Sequence, residues 1–365
     1  MANPIRVLVV DDSAFMRHAL TRNIELDSRF KVTDTAVDGR EGVEKALRLK
    51  PDVMTLDVEM PVMNGLEALK EIVARSSIPV IMVSAVTESG AKTTMEALEI
   101  GAVDFIPKAK GADLIHEKLL AAVTANLARR PVAPRPQRPA IATPAAALVP
   151  APAPAAAPAS APDPVPVRSR RPEVPAFRGT PKIVVIGSST GGPQALQEVI
   201  GQLPANLPVP IVIAQHMPPQ FTLALAKRLD ACCPPKVVEA THGEPLVNGT
   251  VYIGPGGMHL RVTPTSLKVE PDNGESLYKP SVDVLAESAL VAFGKNVLGV
   301  MLTGMGNDGM KEFVKLHRAG AYNLVQDQVS CVVYGMPRAV ADAGGADEVL
   351  ALEKIGPRIR AMLKM

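Results

Sequence analysis

The sequence predicts two α/β lobes, each a doubly wound parallel sheet, separated by a segment with no core of its own. Three observations carry this. Short apolar, β-branched runs alternate with amphipathic helical patterns over residues 4–126, and the alternation resumes over 181–365. Between the two, residues 131–175 are roughly three-fifths Pro plus Ala with almost no periodicity. Strand–helix alternation of this kind buries a parallel sheet under helices on both faces.

In the first lobe the strands are read at Ile5–Val10, Val32–Ala36, Val53–Leu56, Val80–Val83 and Val103–Ile106, each bounded by turn residues. Helical patterns fall near 13–26, 39–49, 64–74, 89–100 and 112–127. In the second lobe Ile183–Ile186, Pro210–Ala214 and Val297–Leu302 read as buried strands, each followed by a polar turn and a helix start. Val251–Ile253 and Ala321–Gln326 are further strands. The expected boundaries are 1–127, a flexible tether over 128–178, and 179–365; proline forbids regular ladders in the tether and few side chains there can bury a core.

Composition excludes several classes of function. The 365 residues are 47% hydrophobic and 21% charged, as in ordinary globular domains, but only 3% aromatic with no Trp. A stacking platform for single-stranded nucleic acid is therefore not expected. The net charge of +2 is unevenly spread: eight Arg between Arg129 and Arg178 face only Asp163 and Glu173. That stretch is about +6 and its flanks together about −4, so no folded lobe offers a basic nucleic-acid face. Three cysteines without metal or disulfide spacing fit a reducing compartment. With neither a signal peptide nor an apolar run of membrane-spanning length, a cytoplasmic protein without membrane insertion, acting as a monomer, is expected.

Chemistry gathers at two sheet edges. Ligands in open parallel sheets bind beyond the carboxyl ends of the strands. Asp11 and Asp12 follow the first strand and Asp57 the third, so three carboxylates converge and call for a hard cation, naturally Mg²⁺. Ser84 ends the fourth strand and Lys108 follows the fifth, offering a hydroxyl and a point charge to a phosphoryl group. The segments Val9-Val10-Asp11-Asp12-Ser13, Leu56-Asp57-Val58-Glu59-Met60-Pro61, Asn64-Gly65, Val83-Ser84-Ala85 and Phe105-Ile106-Pro107-Lys108 resemble a response-regulator receiver over the whole of 4–127. The resemblance implies a five-stranded flavodoxin-like domain. In it Asp57 takes a phosphoryl group from a histidine kinase, Asp11 and Asp12 hold Mg²⁺ with Asp57, Ser84 and Lys108 meet the phosphoryl group, and Phe105 is an aromatic switch. Receivers usually carry proline where this chain has Ala109.

At the second edge, Gly187-Ser188-Ser189-Thr190-Gly191 satisfies G-x-S-x-G between a strand and a helix, a turn that lifts the Ser189 hydroxyl above the sheet. His216 follows the next strand and Asp308 the strand over 297–302, which supplies nucleophile, base and orienting carboxylate in one neighbourhood. A competing pattern shares these residues. Gly304-Met305-Gly306-Asn307-Asp308-Gly309 fits G-x-G-x-x-G, and Asp327 ends the next strand near the spacing of a ribose-binding acid. From pattern alone a nicotinamide- or flavin-binding oxidoreductase stays open beside a serine esterase, as does a non-catalytic phospho-switch scaffold.

Gly187 to Gly192, Gln215-His216-Met217-Pro218-Pro219, Tyr278-Lys279-Pro280-Ser281-Val282-Asp283, Thr303 to Gly309 and Cys331-Val332-Val333-Tyr334-Gly335-Met336-Pro337 are similar to the bacterial chemotaxis protein-glutamate methylesterases, the CheB family, across 181–365. The order receiver, tether, esterase matches as well. The resemblance implies a second parallel-sheet α/β domain with Ser189 as nucleophile, His216 as general base and Asp308 as its partner. The backbone at Met305 and the Thr190 region would form the oxyanion hole, with no cofactor at this site. Ser188 stands where the family has Ala. The implied activity is demethylation of glutamate methyl esters on chemoreceptors with release of methanol, extending to deamidation of receptor glutamines. Phosphorylation by the chemotaxis kinase would activate it.

Overall fold

The structure, a computed structural model, describes residues 3–108, 111–129, 180–272, 274 and 276–365, without the side chains of 111–113 and 126–129. The expected tether at 128–178 lies almost wholly outside the described residues, as does Ala109.

The first lobe runs β1 (Ile5–Val10), α1 (Ala14–Glu25), β2 (Phe30–Ala36), α2 (Gly39–Leu49), β3 (Val53–Asp57), α3 (Gly65–Arg75), β4 (Val80–Ser84), α4 (Glu88–Ile100), β5 (Asp104–Pro107) and α5 (Gly111–Arg129). Its five strands are parallel in the order β2-β1-β3-β4-β5. The three central strands are buried on both faces, which is why they read as unbroken apolar runs rather than alternating ones. One face is covered by α1 and α5 through Leu20, Ile24, Ile115 and Leu119. The other is covered by α2, α3 and α4 through Val43, Leu69, Ile72 and Leu98. Local sequence fixes the helix starts: Ser13 caps α1, and Asn64 with Glu67 forms a reciprocal capping box on α3.

The second lobe runs β6 (Ile183–Ser188), α6 (Gly192–Gly201), β7 (Ile211–Gln215), α7 (Phe221–Cys232), β8 (Lys236–Glu239), β9 (Thr250–Ile253), β10 (Met258–Val262), β11 (Leu267–Pro271), α8 (Val282–Phe293), β12 (Val297–Met301), α9 (Met310–Arg318), β13 (Tyr322–Gln326), α10 (Met336–Asp342), β14 (Glu348–Leu350) and α11 (Leu352–Met362). Seven strands form a parallel sheet in the order β14-β13-β12-β6-β7-β9-β8. Helices α6, α7 and α11 pack on one face through Val199, Leu225 and Ile359. Helices α8, α9 and α10 pack on the other through Leu285, Phe313 and Val340. The doubly wound expectation therefore holds for both lobes.

Four strands had no counterpart in the sequence reading. β8 and β14 are sheet edges of four and three residues, too short to show a period. β10 and β11 form a separate antiparallel hairpin, whose Leu260, Val262 and Leu267 join the α8 side of the core.

The position of β6 decides where the chemistry sits. The chain leaves β6 for β7 on one side and later returns to β12 on the other, so β6 lies at a topological switch point. Loops after β6, β7 and β12 diverge there and leave a crevice beyond the strand ends.

Candidate active site and phosphorylation site

Ser189, His216 and Asp308 meet at that crevice. Ser188 is in register with Gln215, so the residues that follow, Ser189 and His216, leave adjacent strands side by side. The Ser189 turn is held at several points: its amide donates to Thr303 O at 3.0 Å, and its carbonyl accepts from Gly192 N at 2.8 Å and from Gln215 Nε2 at 2.9 Å. A Cβ on Gly192 would stand 1.9 Å from Gln215 Oε1, and one on Gly304 would stand 2.8 Å from Ser189 Cβ. Both glycines are thus required by close approach. The family departure at Ser188 is absorbed, because its buried hydroxyl donates to Gln215 Oε1 at 2.6 Å.

His216 Nε2 lies 2.7 Å from Asp308 Oδ2. Asp308 is buried, and it also accepts from Ser281 Oγ at 2.9 Å, Val282 N at 2.7 Å and Asp283 N at 3.1 Å. The last two are first-turn amides of α8, where the helix end favours negative charge. Burial works to raise the Asp308 carboxyl, but the His216 bond and these amides outweigh it and hold the group below its ordinary value. An ionised Asp308 accepts the N–H at Nε2, which leaves Nδ1 as the ring nitrogen turned away from Asp308. Nδ1 is buried and without a hydrogen-bond partner among the described residues. The Ser189–His216 bond itself is not formed; such bonds commonly tighten only with substrate bound. On the imidazole face lies Tyr278, its ring 4.3 Å away and tilted by 4°.

Among the described residues, the backbone amides of Thr190 and Met305 donate no hydrogen bond, whereas the neighbouring amides of Ser189, Thr303 and Gly304 all do. One of these free amides directly follows Ser189, and the other follows Gly304 in the adjoining loop. In the G-x-G-x-x-G segment Asp308 is committed to His216 and α8, and Asp327 accepts from Ser330 N at 2.9 Å and Oγ at 2.7 Å. That loop serves the serine site and carries a buried carboxylate where a pyrophosphate would need amides alone.

At the edge of the first sheet, Val10 pairs with Leu56, so Asp11 and Asp57 emerge together. One ligand oxygen each from Asp11, Asp12 and Asp57 lies within 4.8 Å of the others. Asp11 Oδ2 is buried, and three clustered carboxylates form the oxygen donor set that a hard cation takes. Lys108 Nζ reaches Asp57 Oδ2 at 2.7 Å and Asp11 Oδ2 at 3.3 Å. Burial lifts the Asp57 carboxyl to about 6 against the pull of Lys108. Ser84 is buried at the same edge, with its hydroxyl 3.2 Å from Gly90 O on α4. Phe105 is buried too, and its partner comes from the other lobe: it stacks on Phe221 of α7 at 4.3 Å.

That pair belongs to a contact between the lobes whose residues the sequence did not specify. Gln194 on α6 donates to Leu98 O and Ala102 O at 3.0 and 3.2 Å. Lys227 pairs with Glu88 at 3.0 Å, and Arg228 pairs with Glu99. The hydroxyl of Thr190, the residue after Ser189, donates to Asp104 Oδ2 at 2.6 Å, and Lys118 holds the same oxygen at 2.6 Å. Roles for Gln215, Tyr278, Ser281, Asp104 and Phe221 were likewise not assigned. Their signal was present only as adjacency, since Gln215 precedes His216 and Tyr278 and Ser281 lie in a quoted motif.

A receiver-type sheet coupled to a parallel α/β lobe with a serine, histidine and aspartate at its switch point is the architecture of a response regulator with a hydrolase output. The family descriptions agree: residues 7–120 match the response regulator receiver domain and 184–359 match CheB methylesterase. The chain is 43% identical, over 98% of its length and 99% of the relative's, to the protein-glutamate methylesterase/protein-glutamine glutaminase of Lawsonia intracellularis. It is 49% identical to the corresponding enzyme 2 of Nitratidesulfovibrio vulgaris, over 97% of its length and 98% of the relative's. Among solved structures, the Thermotoga maritima CheB methylesterase catalytic domain covers 50% of the chain and 100% of its own, with 40% identity and a TM-score of 0.49. The response regulator domain of Thermotoga maritima CheB covers 33% of the chain and 98% of its own, with 51% identity and a TM-score of 0.32. This chain belongs to the CheB methylesterase family.

Proposed function

We propose that the protein is a phosphorylation-activated serine hydrolase that demethylates glutamate methyl esters on chemoreceptors and deamidates receptor glutamines. The observation that carries this is the His216–Asp308 pair with Nδ1 buried and without a hydrogen-bond partner, at the end of the strand next to that of Ser189. His216 Nδ1 removes the Ser189 proton as Oγ attacks the ester carbonyl. The free amides of Thr190 and Met305 receive the oxyanion, a contribution of the kind worth about 3 kcal/mol per donor. The proton passes from His216 to the departing methoxide, methanol leaves, and water activated by the same imidazole frees Ser189 and the glutamate carboxylate. A glutamine side chain follows the same course with ammonia as leaving group.

Asp57 is the phosphoryl acceptor, and a histidine kinase is the donor. Asp11, Asp12 and Asp57 fit a Mg²⁺ ion, which when bound neutralises charge between the carboxylates and the incoming phosphoryl oxygens. Lys108 then has a phosphoryl oxygen in place of the Asp57 carboxylate. Ser84 reaches α4 through Gly90, and α4 and β5 form the surface against α6 and α7. A Ser84 drawn toward the phosphoryl group therefore acts on the contact beside Ser189, shifting the population toward separated lobes. The working boundaries are 1–127 and 179–365. Among the described residues no helix is long and apolar enough to cross a membrane. The test is methanol release from methylated receptor by the phosphorylated chain. Ser189→Ala should abolish it; full activity in that variant refutes the proposal.

A further inference from the structure

We infer that Tyr278 is a positioning residue for the general base: its ring fixes the plane of His216 and stabilises the positive charge that His216 acquires during the reaction. The inference rests on His216 being the base and extends that reading to a residue with no assigned role.

The two rings are stacked with nearly parallel planes, their centroids 4.3 Å apart. A tyrosine face carries negative quadrupole density, so a cation within about 6 Å of its centroid is stabilised, and more strongly where water is excluded. The His216 side chain is only 8% exposed. A general base gains positive charge when it takes the Ser189 proton. The ring therefore favours the transition state over the ground state, which lowers the barrier without tightening substrate binding. Stacking also removes the one free motion left to a ring tethered at Nε2 alone, rotation out of line with Ser189.

The segment bearing Tyr278 is built for rigidity. Ser276 Oγ accepts from the Tyr278 amide at 3.3 Å and donates to its carbonyl at 3.0 Å. Lys279 pairs with Asp272 at 2.6 Å, Asp272 with His259 at 3.0 Å, and His259 Nδ1 accepts from Ser281 N at 3.4 Å. Ser281 then binds Asp308. One stretch of chain thus presents a ring to His216 and a hydroxyl and two amides to Asp308, holding both members of the pair in a common frame. The far end of Tyr278 reaches the loop bearing Met305: a Cβ on Gly306 would stand 2.9 Å from Tyr278 Oη. The hydroxyl has no hydrogen-bond partner among the described residues, so the ring carries the effect and phenylalanine should replace it.

The experiment compares Tyr278→Leu, Tyr278→Phe and His216→Ala in the phosphorylated full-length chain, with methylated receptor as substrate. Tyr278→Leu should lower kcat about tenfold with KM changed less than about twofold, and Tyr278→Phe should keep kcat within about twofold of wild type. In proton spectra of histidine-labelled protein, the His216 ring protons should be shielded in wild type and Tyr278→Phe and move downfield in Tyr278→Leu. The inference is overturned if Tyr278→Leu keeps its kcat, if Tyr278→Phe falls as far as Tyr278→Leu, or if the His216 resonances do not move. Continued hydrolysis by His216→Ala would instead remove the triad reading, and this inference with it.

Discussion

Replacing Asp104 by alanine should switch the enzyme on without phosphate. Asp104 belongs to the first lobe, outside the proposed catalytic machinery, yet its Oδ2 accepts the Thr190 hydroxyl at 2.6 Å. Both residues are buried, at 6% and 4% exposure, so solvent does little to weaken the bond. Lys118 reaches the same oxygen from within the first lobe, so that contact does not span the two lobes. Of the hydrogen bonds that Asp104 makes, only the one to Thr190 crosses between the lobes. A hydrogen bond to a charged group contributes about 1.5–3 kcal/mol net, so its loss should raise the ratio of separated to closed molecules about 10- to 150-fold. Methanol release by the unphosphorylated variant should rise by that factor, up to the rate of the fully released enzyme. The Phe105–Phe221 stack remains and keeps part of the restraint. The assay is methanol release from methylated receptor, with and without phosphodonor. An unphosphorylated rate equal to wild type, in a variant whose phosphorylated rate is normal, refutes the reasoning.

Three further outcomes follow from the site and the core. Asp308 is held below its ordinary carboxylate value, so its contribution to stability is present above the unfolded value of about 4 and fades as pH falls through the folded one. The melting temperature of Asp308→Asn should therefore lie below wild type at neutral pH, with the gap closing in acid; a gap that widens in acid contradicts the assigned charge. Burial pushes the Cys233 and Cys331 thiols up to about 12, while Cys232 is exposed. A thiol reagent at pH 8 should modify one cysteine rapidly in native protein and three in denaturant, and rapid loss of all three in native protein would show the burial to be wrong. Gly304→Ala should displace Ser189, because its methyl would sit 2.8 Å from Ser189 Cβ and 2.4 Å from Met336 Sδ. Turnover should fall at least about tenfold while phosphate incorporation at Asp57 stays normal; an unaffected kcat would mean the loop yields freely.

The first lobe was almost fully legible in the sequence, because its central strands are buried on both faces and α1–α4 carry local caps; observed bounds differ from the expected ones by at most two residues. The acidic edge was legible for the same reason: Asp11, Asp57, Ser84 and Lys108 directly follow or end apolar runs. Ser189, His216 and Asp308 could be named as strand-end residues. What the sequence could not supply was adjacency. β6 and β12 are more than a hundred residues apart, and only the strand order brings Asp308 to His216. The edge strands β8 and β14 were too short to carry a period.

Which residue types stand at the ends of the strands is written in local patterns of polarity, and those alone determined that this chain holds an edge of clustered carboxylates and a second edge with a serine, a histidine and an aspartate. Which imidazole nitrogen faces Asp308, which ring covers His216 and which hydroxyl ties Thr190 to Asp104 depend on pairings across lobes and strands. Those pairings are energies of packing between distant segments, so they exist only once both sheets have closed, and the tertiary structure alone decided them.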